Sequence, residues 1–217
     1  MKVLVVGASR GSGAAAVQQL AEAGHLVTAF ARSAAPGRSS DDVRQVSGDV
    51  MDPEALDKAM VGQDAVIVAL GISDNPVKVR LLRRAGTPLD VRSRGTAAVV
   101  DAMHRAGMRR LVVQSTYGIG DTYSTLPLAA KAFFTLVIRP QVTDHERQEQ
   151  VVRSSGLDWT LVRPVFLVDG DDSAAPAQVG PGDQASSLRV TRTQLARVLR
   201  DAVERPEWHG RTLSVSA

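Results

Sequence analysis

Short apolar runs rich in β-branched residues alternate along the chain with helical patterns, and this alternation constrains the fold more than any other feature. The predicted strands span residues 2–6, 26–31, 43–47, 64–69, 109–114, 157–162 and 211–215, and the predicted helices span residues 12–23, 53–60, 89–106, 143–154 and 193–204. Strands that are apolar throughout are typical of a parallel sheet covered by helices on both faces. The sequence therefore predicts an α/β fold, a doubly wound parallel sheet with right-handed crossovers.

No linker or internal repeat interrupts the pattern, so we expect residues 1–217 to form a single domain with a small substrate-side lobe towards the C-terminus. Three segments break the alternation, at residues 71–79, 117–141 and 165–187. Each follows the carboxyl end of a predicted strand, where open α/β sheets bind ligands. We expect these segments to form the substrate side, and the Gly, Pro, Asp and Ser content of the last one predicts a mobile lid.

The composition excludes several classes of protein and site. The chain has no cysteine, so disulfides, thiolate metal sites and cysteine nucleophiles are excluded. His25, His104 and His209 are isolated and lack metal-ligand spacing, which predicts no metal. No apolar run approaches the roughly 18 residues that span a bilayer, and no signal peptide is expected. These observations predict a cytoplasmic protein without a membrane partner.

The net charge of +3 and the aromatic content of 4% do not favour nucleic-acid binding. The densest basic cluster, formed by Lys78, Arg80, Arg83 and Arg84, lacks interleaved aromatic residues. We interpret it as a solvated or phosphate-steering surface, with an interaction patch as the alternative. The expected partner is a small-molecule substrate, and no nucleic acid is expected.

A glycine-rich loop follows the first predicted strand and opens the first predicted helix. Its sequence is Gly7-Ala8-Ser9-Arg10-Gly11-Ser12-Gly13. Glycines permit a tight turn and let backbone N–H groups approach a pyrophosphate, which then lies at the positive end of the helix. The position inside a strand–loop–helix unit predicts a dinucleotide cofactor, and a glycine-rich turn without a ligand is the alternative.

The residues after the second predicted strand indicate which dinucleotide is bound. A fold that binds NAD in this way needs an Asp or Glu about twenty residues past the glycines to hold the ribose hydroxyls. Between Glu22 and Asp41 the chain has no acidic residue, and Arg32 and Ser33 stand at the expected place. Arg10 can approach the same ribose, and guanidinium groups suit a 2′-phosphate. The sequence predicts NADP(H), and an Arg32 that only solvates a strand end is the alternative.

The glycine loop and several later segments resemble the short-chain dehydrogenase/reductase superfamily, whose fingerprint is Gly-x-x-x-Gly-x-Gly. The later segments are Gly48-Asp49-Val50, residues 64–71, Arg94-Gly95-Thr96, Ser115-Thr116 and Arg163-Pro164. Residues 144–146, Glu149 and residues 155–160 are similar to the atypical, NmrA-like branch, and the whole chain is similar to flavin reductases of the biliverdin reductase B type. The likeness covers nearly the whole chain and is clearest in residues 1–120 and 142–164.

The resemblance implies a Rossmann fold and a set of cofactor-binding residues. These are Gly7, Ser9, Arg10, Gly11, Ser12, Gly13, Arg32, Ser33, Asp49, Val50, Leu70, Gly71, Ser115, Pro164 and Val165. By resemblance, Asp49 and Val50 contact the adenine, and Pro164 and Val165 line the nicotinamide side. Phe166 is expected either to line the pocket or to pack in the core.

Typical members of the superfamily use a Tyr-x-x-x-Lys pair as acid and base, and the sequence lacks this pair. Tyr117 is followed four residues later by Asp121, and Tyr123 by Pro127. The resemblance therefore implies an NADPH-dependent oxidoreductase that transfers hydride to a planar conjugated small molecule of flavin, quinone or bilin type. The alternatives are a non-catalytic, NmrA-like regulator that senses NADP(H), and a sugar or ketone isomerase-epimerase of the extended branch.

Three residues are candidate catalytic groups. By resemblance, Thr116 lies nearest the nicotinamide, with a strand-end cap as the alternative, and Ser115 supports cofactor placement. His145, aligned with the Lys of the pair, is a candidate proton donor that Glu149 at i+4 could hold in one tautomer. Its alternative is a structural role in a helix capped by Asp144 or Thr143. The resemblance is compatible with a monomer or a homodimer.

Overall fold

The computed structural model describes residues 1–33, 40–71, 88–128, 131, 139–170 and 175–217. The strands are β1 (Lys2–Val6), β2 (Leu26–Ala31), β3 (Val43–Ser47), β4 (Ala65–Val68), β5 (Arg110–Gln114), β6 (Asp158–Pro164), β7 (Phe166–Val168), β8 (Gln178–Pro181), β9 (Arg189–Thr191) and β10 (Arg211–Ser216). The helices are α1 (Gly11–Glu22), α2 (Pro53–Met60), α3 (Val91–Arg105), α4 (Arg139–Arg153) and α5 (Arg192–Glu204), and Gly120–Thr125 and Pro206–Trp208 form short 3₁₀ helices.

Eight strands form one sheet in the order β3-β2-β1-β4-β5-β6-β10-β8. All neighbouring pairs from β3 to β10 are parallel, and β8 adds antiparallel to β10 at the edge. The strand order reverses between β1 and β4, where ligands bind in open α/β sheets. The predicted doubly wound, Rossmann-like fold is confirmed.

The central strands are buried on both faces, which explains why their sequences are apolar without interruption. In β1, Val3 and Val5 face a core cluster shared with α1 and α5, whereas Leu4 and Val6 face a second cluster shared with α2 and α3. All four side chains are fully buried. The chain therefore winds helices onto both faces and leaves the ends of the strands open.

The segment at residues 165–187 differs from its prediction as a loop. It contains β7, which pairs with β9, and β8, which pairs with β10. These strands have only three or four residues, and β8 contains Gly180 and Pro181. Such strands lack a detectable periodic pattern, and an edge strand tolerates proline because one side of it needs no ladder hydrogen bonds.

Several predictions fall partly outside the described residues. These are most of the 71–79 segment, residues 129–130 and 132–138 of the 117–141 segment, residues 171–174, and the basic cluster Lys78, Arg80, Arg83 and Arg84. Within the described part of the 117–141 segment lie the 3₁₀ helix and the first residues of α4. A single domain stays a prediction.

Candidate active site

A cleft of about 1040 Å³ opens at the carboxyl ends of β1, β4, β5 and β6. Its volume is at the upper end of ordinary ligand pockets, roughly 300–1,000 Å³. The cleft lining includes Gly7, Ser9, Arg10, Gly11, Ser12, Arg32, Ser33, Asp49, Val50, Leu70, Gly71, Ser115, Thr116, His145, Pro164, Val165 and Phe166. The fold thus brings together sequence-predicted residues from seven separate segments, and of the predicted set Gly13 alone is not part of this lining.

The glycine loop is packed too tightly for side chains at two positions. Gly7 has a φ of +93°, and a Cβ there would lie 2.5 Å from the carbonyl oxygen of Ala69. A Cβ on Gly13 would overlap the carbonyl oxygen of Gly7. The lack of a side chain at Gly13 therefore lets α1 pack closely against the glycine loop. This close packing keeps the loop at the carboxyl end of β1.

The first turn of α1 faces the cleft with its backbone N–H groups. Arg10 occupies the N-cap position without a side-chain hydrogen bond to the helix, and the first turn has no acidic residue. The leading N–H groups of a helix carry a partial positive charge and accept an anion when no side chain caps them. This end of the cleft therefore fits a pyrophosphate.

Exposed basic side chains lie at the same end of the cleft. Arg10 and Arg32 both line it, as does Ser33 after β2. Asp49, which follows β3, accepts a hydrogen bond from the backbone N–H of Met51 at 2.9 Å and so shapes its own turn. The described polar residues that follow β2 and line the cleft, Arg32 and Ser33, are cationic and neutral.

A buried polar network lies under the other end of the cleft. The Ser115 hydroxyl donates to Glu149 Oε1 at 2.8 Å, and Arg163 donates to both carboxylate oxygens of Glu149, at 2.8 and 2.7 Å. Arg163 also donates to Asp121 Oδ1 at 2.8 Å. Burial by itself lowers the pKa of Arg163. The hydrogen bonds and the negative charges of Glu149 and, to a smaller extent, of Asp121 outweigh this effect, so the pKa of Arg163 is raised. Ser115 is thus held by a charged group that is itself fixed.

The two hydroxyls at the end of β5 differ in their surroundings. Ser115 is buried and donates to Glu149, whereas Thr116 is half-buried and donates to the carbonyl oxygen of Tyr117 at 3.2 Å. The Tyr117 hydroxyl bonds to Thr125 Oγ1 at 2.9 Å and donates to the carbonyl oxygen of Asp183 at 3.1 Å. Tyr117 is therefore occupied with structural contacts.

His145 lines the cleft, but the expected hydrogen bond with Glu149 was wrong. Its Nδ1 lies 3.2 Å from Gln148 Oε1, because Glu149 faces the sheet and pairs with Ser115 and Arg163. Burial and the nearby charge of Arg92 lower the pKa of His145 well below its ordinary value of 6.5, against an opposing hydrogen bond with Gln148. At neutral pH the imidazole is therefore uncharged, which disfavours His145 as a cationic acid.

The expected N-cap of the helix that carries His145 was also wrong. The helix extends from Arg139, so Thr143 and Asp144 lie within it. The buried Asp144 carboxylate instead accepts from the backbone N–H groups of Arg92 and Ser93, each at 3.1 Å. Asp144 thus caps α3 from a neighbouring helix, a contact that residue spacing along the chain does not reveal.

Sequence reasoning missed Arg92, in the first turn of α3. Arg92 lines the cleft with only 7% of its surface exposed, and its Nε and Nη1 have no hydrogen-bond partner among the described residues. In the sequence it is one of several arginines in a helical pattern, a signal typical of a solvated helix face. Only the packing of α3 against α4 shows that this arginine is buried.

Within the described ranges, no group of three or more His, Cys, Asp or Glu side chains could hold a metal ion. In the same part of the chain, no helix is long and apolar enough to cross a membrane.

A family model described as NAD(P)H-binding matches residues 7–206. The chain belongs to this NAD(P)H-binding family. The predicted nicotinamide dinucleotide cofactor is therefore confirmed at the level of the family, and the glycine loop and the uncapped α1 terminus fit such a group.

Among curated relatives, an NAD(P)H azoreductase from Xenophilus azovorans is 28% identical over 168 residues, which are 76% of this chain and 48% of that enzyme. In two other curated relatives, the part matched by this chain is 33% of the length of one and 73% of the length of the other.

Two solved structures share the fold. A short-chain dehydrogenase/reductase from Veillonella parvula in complex with NADP is 18% identical with a TM-score of 0.79, and the match covers 100% of this chain and 94% of that one. The anaerobillin reductase ChuY from Escherichia coli O157:H7 is 21% identical with a TM-score of 0.74, covering 100% and 97%.

Proposed function

We propose that this NAD(P)H-binding protein is an NADPH-dependent reductase of planar, conjugated small molecules of the flavin, quinone or bilin type. The observation that carries the proposal is the two-part cleft, which has a glycine loop and basic side chains at one end and apolar side chains at the other. The apolar end is lined by Tyr117, Leu126, Val165, Phe166, Leu167 and Leu188. A cleft that has a basic end and an apolar end suits a dinucleotide that lies beside a flat, largely apolar acceptor.

In this proposal the cofactor lies along the edge of the sheet. Asp49, Val50, Leu70 and Gly71 hold the adenine side, and residues 7–13 hold the pyrophosphate against α1. Ser115, Thr116, Pro164 and Val165 hold the nicotinamide side. A reduced nicotinamide supplies hydride, and the residues of the chain bind and orient both partners.

The choice of NADPH over NADH rests on the residues after β2. Arg32 and Arg10 supply guanidinium groups, and Ser33 supplies a hydroxyl, where an NAD-specific site would carry an acid. Each charge-assisted hydrogen bond to a 2′-phosphate contributes roughly 1.5–3 kcal/mol. One such bond suffices for about a tenfold preference, since 1.4 kcal/mol corresponds to that factor.

The acceptor class follows from the groups that could donate a proton. The Tyr117 hydroxyl is engaged with Thr125 and Asp183, and the lowered pKa of His145 keeps its imidazole neutral. A conjugated acceptor spreads incoming negative charge over several atoms and depends little on an enzymic acid, so this site favours such acceptors. The names of the similar azoreductase and anaerobillin reductase also point to reduction of extended conjugated systems.

The proposal is tested by following NADPH oxidation with a panel of FMN, menadione, biliverdin and an azo dye. We expect turnover with at least one of these acceptors. Tight NADPH binding without turnover across the panel would contradict the proposal and favour a cofactor-sensing regulator. A cofactor-sensing regulator and a reductase would share the same cofactor site, so NADPH binding does not distinguish them. Only the measurement of NADPH oxidation by the acceptors does.

A further inference from the structure

Arg92 has unsatisfied hydrogen-bonding capacity within the cleft. Its side chain is 9% exposed, and Nε and Nη1 have no partner among the described residues. A buried charged donor without an acceptor is costly, so such a group in a native protein calls for a specific explanation, of which a bound ligand is one. Arg92 lines the cleft, whereas its Nε and Nη1 atoms are themselves buried, so a small turn of the side chain is needed to present them to a ligand.

The nearest carboxylate does not satisfy Arg92. Asp144 Oδ2 lies 3.8 Å from Arg92 Nη1, beyond hydrogen-bond distance. The Asp144 oxygens are already used by the backbone N–H groups of Arg92 and Ser93 and by the Ser93 hydroxyl. Burial lowers the pKa of Arg92, and the attraction of Asp144 offsets this only in part. The guanidinium therefore keeps hydrogen-bond donors that no described residue accepts, although Asp144 supplies an opposite charge nearby.

Arg92 lies beside the helix that carries Asp144 and His145. It packs between α3 and α4, close enough to His145 to lower the pKa of that imidazole. The glycine loop has other cations nearby, because Arg192 Nε lies 3.9 Å from the position of a Cβ on Gly11. A phosphate at the loop therefore does not need Arg92.

We propose that Arg92 binds a planar oxyanion of the substrate, such as a carboxylate, in the part of the cleft between α3 and α4. The guanidinium is planar and presents paired donors that match a carboxylate. The neutral imidazole of His145 adds no competing charge beside it. The assignment of this ligand as the substrate rests on the proposed reductase function, whereas the anion site itself does not.

Benzoate and benzamide distinguish charge from shape, since they are close isosteres and only benzoate is an anion. Both are titrated into the NADP⁺-loaded protein by calorimetry. We expect benzoate to bind at least about tenfold more tightly than benzamide, the factor that one charge-assisted bond supplies. Arg92→Gln should remove this preference while the affinity for NADP⁺ is retained.

The matched control is Arg94→Gln, because Arg94 lies on the same helix with 64% of its side chain exposed. It should keep the benzoate preference. The cap from Asp144 uses the backbone of Arg92, so a side-chain change leaves it in place. If Arg92→Gln does not fold, Arg92→Lys should weaken benzoate binding without affecting benzamide.

Three results would overturn the anion site. They are equal binding of benzoate and benzamide by the unmodified protein, a preference that survives both Arg92 variants, and a parallel loss of NADP⁺ affinity in Arg92→Gln. The last result would assign Arg92 to the cofactor. Because binding is measured without turnover, these results are distinct from failure of the reductase proposal, which appears as an acceptor panel without NADPH oxidation.

Discussion

Glu149 of α4 and Arg163 of β6 form a buried ion pair with two parallel hydrogen bonds, at 2.8 and 2.7 Å. The same carboxylate accepts from Ser115 at the end of β5. One acidic side chain thus joins a helix to two strand ends that border the cleft. Because both charged side chains are almost fully buried, each depends on the other for compensation.

Glu149→Gln should destabilise the protein by about 3–5 kcal/mol, because it leaves the Arg163 charge without its main partner. Urea unfolding measures the loss. The matched control is Glu54→Gln, which removes a surface carboxylate with 85% exposure paired to Lys58 at 3.8 Å. That variant should lose less than about 1 kcal/mol. Equal losses in the two variants would contradict the account of this pair.

The capping of α3 can be tested by comparing two aspartates. Asp144→Ala removes the acceptor for the N–H groups of Arg92 and Ser93 and should cost about 2 kcal/mol. Asp90 stands at the formal N-cap of α3 but makes no side-chain hydrogen bond to the helix. Asp90→Ala should therefore cost less than about 1 kcal/mol in the same thermal or urea unfolding experiment. A larger loss for Asp90→Ala would show that the cap is local.

His145 should make the folded protein sensitive to acid. Its pKa is lowered in the folded state, so the unfolded chain takes up the proton first as the pH falls below about 6.5. The neutral imidazole of His145 therefore makes its full contribution to the free energy of unfolding above about pH 6.5. This contribution is lost as the pH falls through the folded-state pKa, by up to about 1.4 kcal/mol per pH unit.

The measurement is the free energy of unfolding of the unmodified protein and of His145→Gln, at about pH 7.5 and about pH 5.5. The unmodified protein should lose more stability between these values than the variant does. Parallel changes in both proteins would argue against a lowered pKa of His145 in the folded state. An NMR titration of the His145 ring provides an independent readout of the same pKa.

The sequence predicted the central sheet well because its strands are buried on both faces. Leu4 and Val6 pack on one face while Val3 and Val5 pack on the other, so the whole strand is apolar and easily recognised. The start of α2 also has a local signal in the sequence, because Asp52 accepts from the backbone N–H of Glu54 at 3.0 Å. Both kinds of signal lie within a few residues of the feature that they indicate.

The features that were missed depend on contacts between distant residues. Asp144 caps a helix about fifty positions earlier in the chain, and Glu149 pairs with Arg163 across the helix–sheet interface. Arg92 is buried because α4 covers it, although its sequence neighbourhood is polar. The position of the glycine loop at the cleft was predictable because it depends on local backbone geometry, whereas the partners of His145 depend on tertiary packing.

Arg32→Glu should narrow or reverse the preference for NADPH over NADH, because it replaces a cation at the proposed 2′-phosphate site by an acid. The measurement is the dissociation constant of each cofactor by fluorescence titration. The unmodified protein should bind NADPH at least about tenfold more tightly than NADH. Arg205→Glu, which changes an arginine next to α5, is the control and should leave the ratio unchanged. Equal constants in the unmodified protein would refute the NADPH assignment.

The most direct test of the account is a single-turnover reaction, in which protein loaded with one equivalent of NADPH is mixed with an excess of menadione, FMN or biliverdin under anaerobic conditions. The spectra of the cofactor and of the acceptor are recorded together. We expect that with at least one acceptor each NADPH lost is matched by one acceptor reduced, at a rate well above that of the mixture without protein. Oxidation of the bound NADPH no faster than in the mixture without protein, with all three acceptors, would contradict the proposed function.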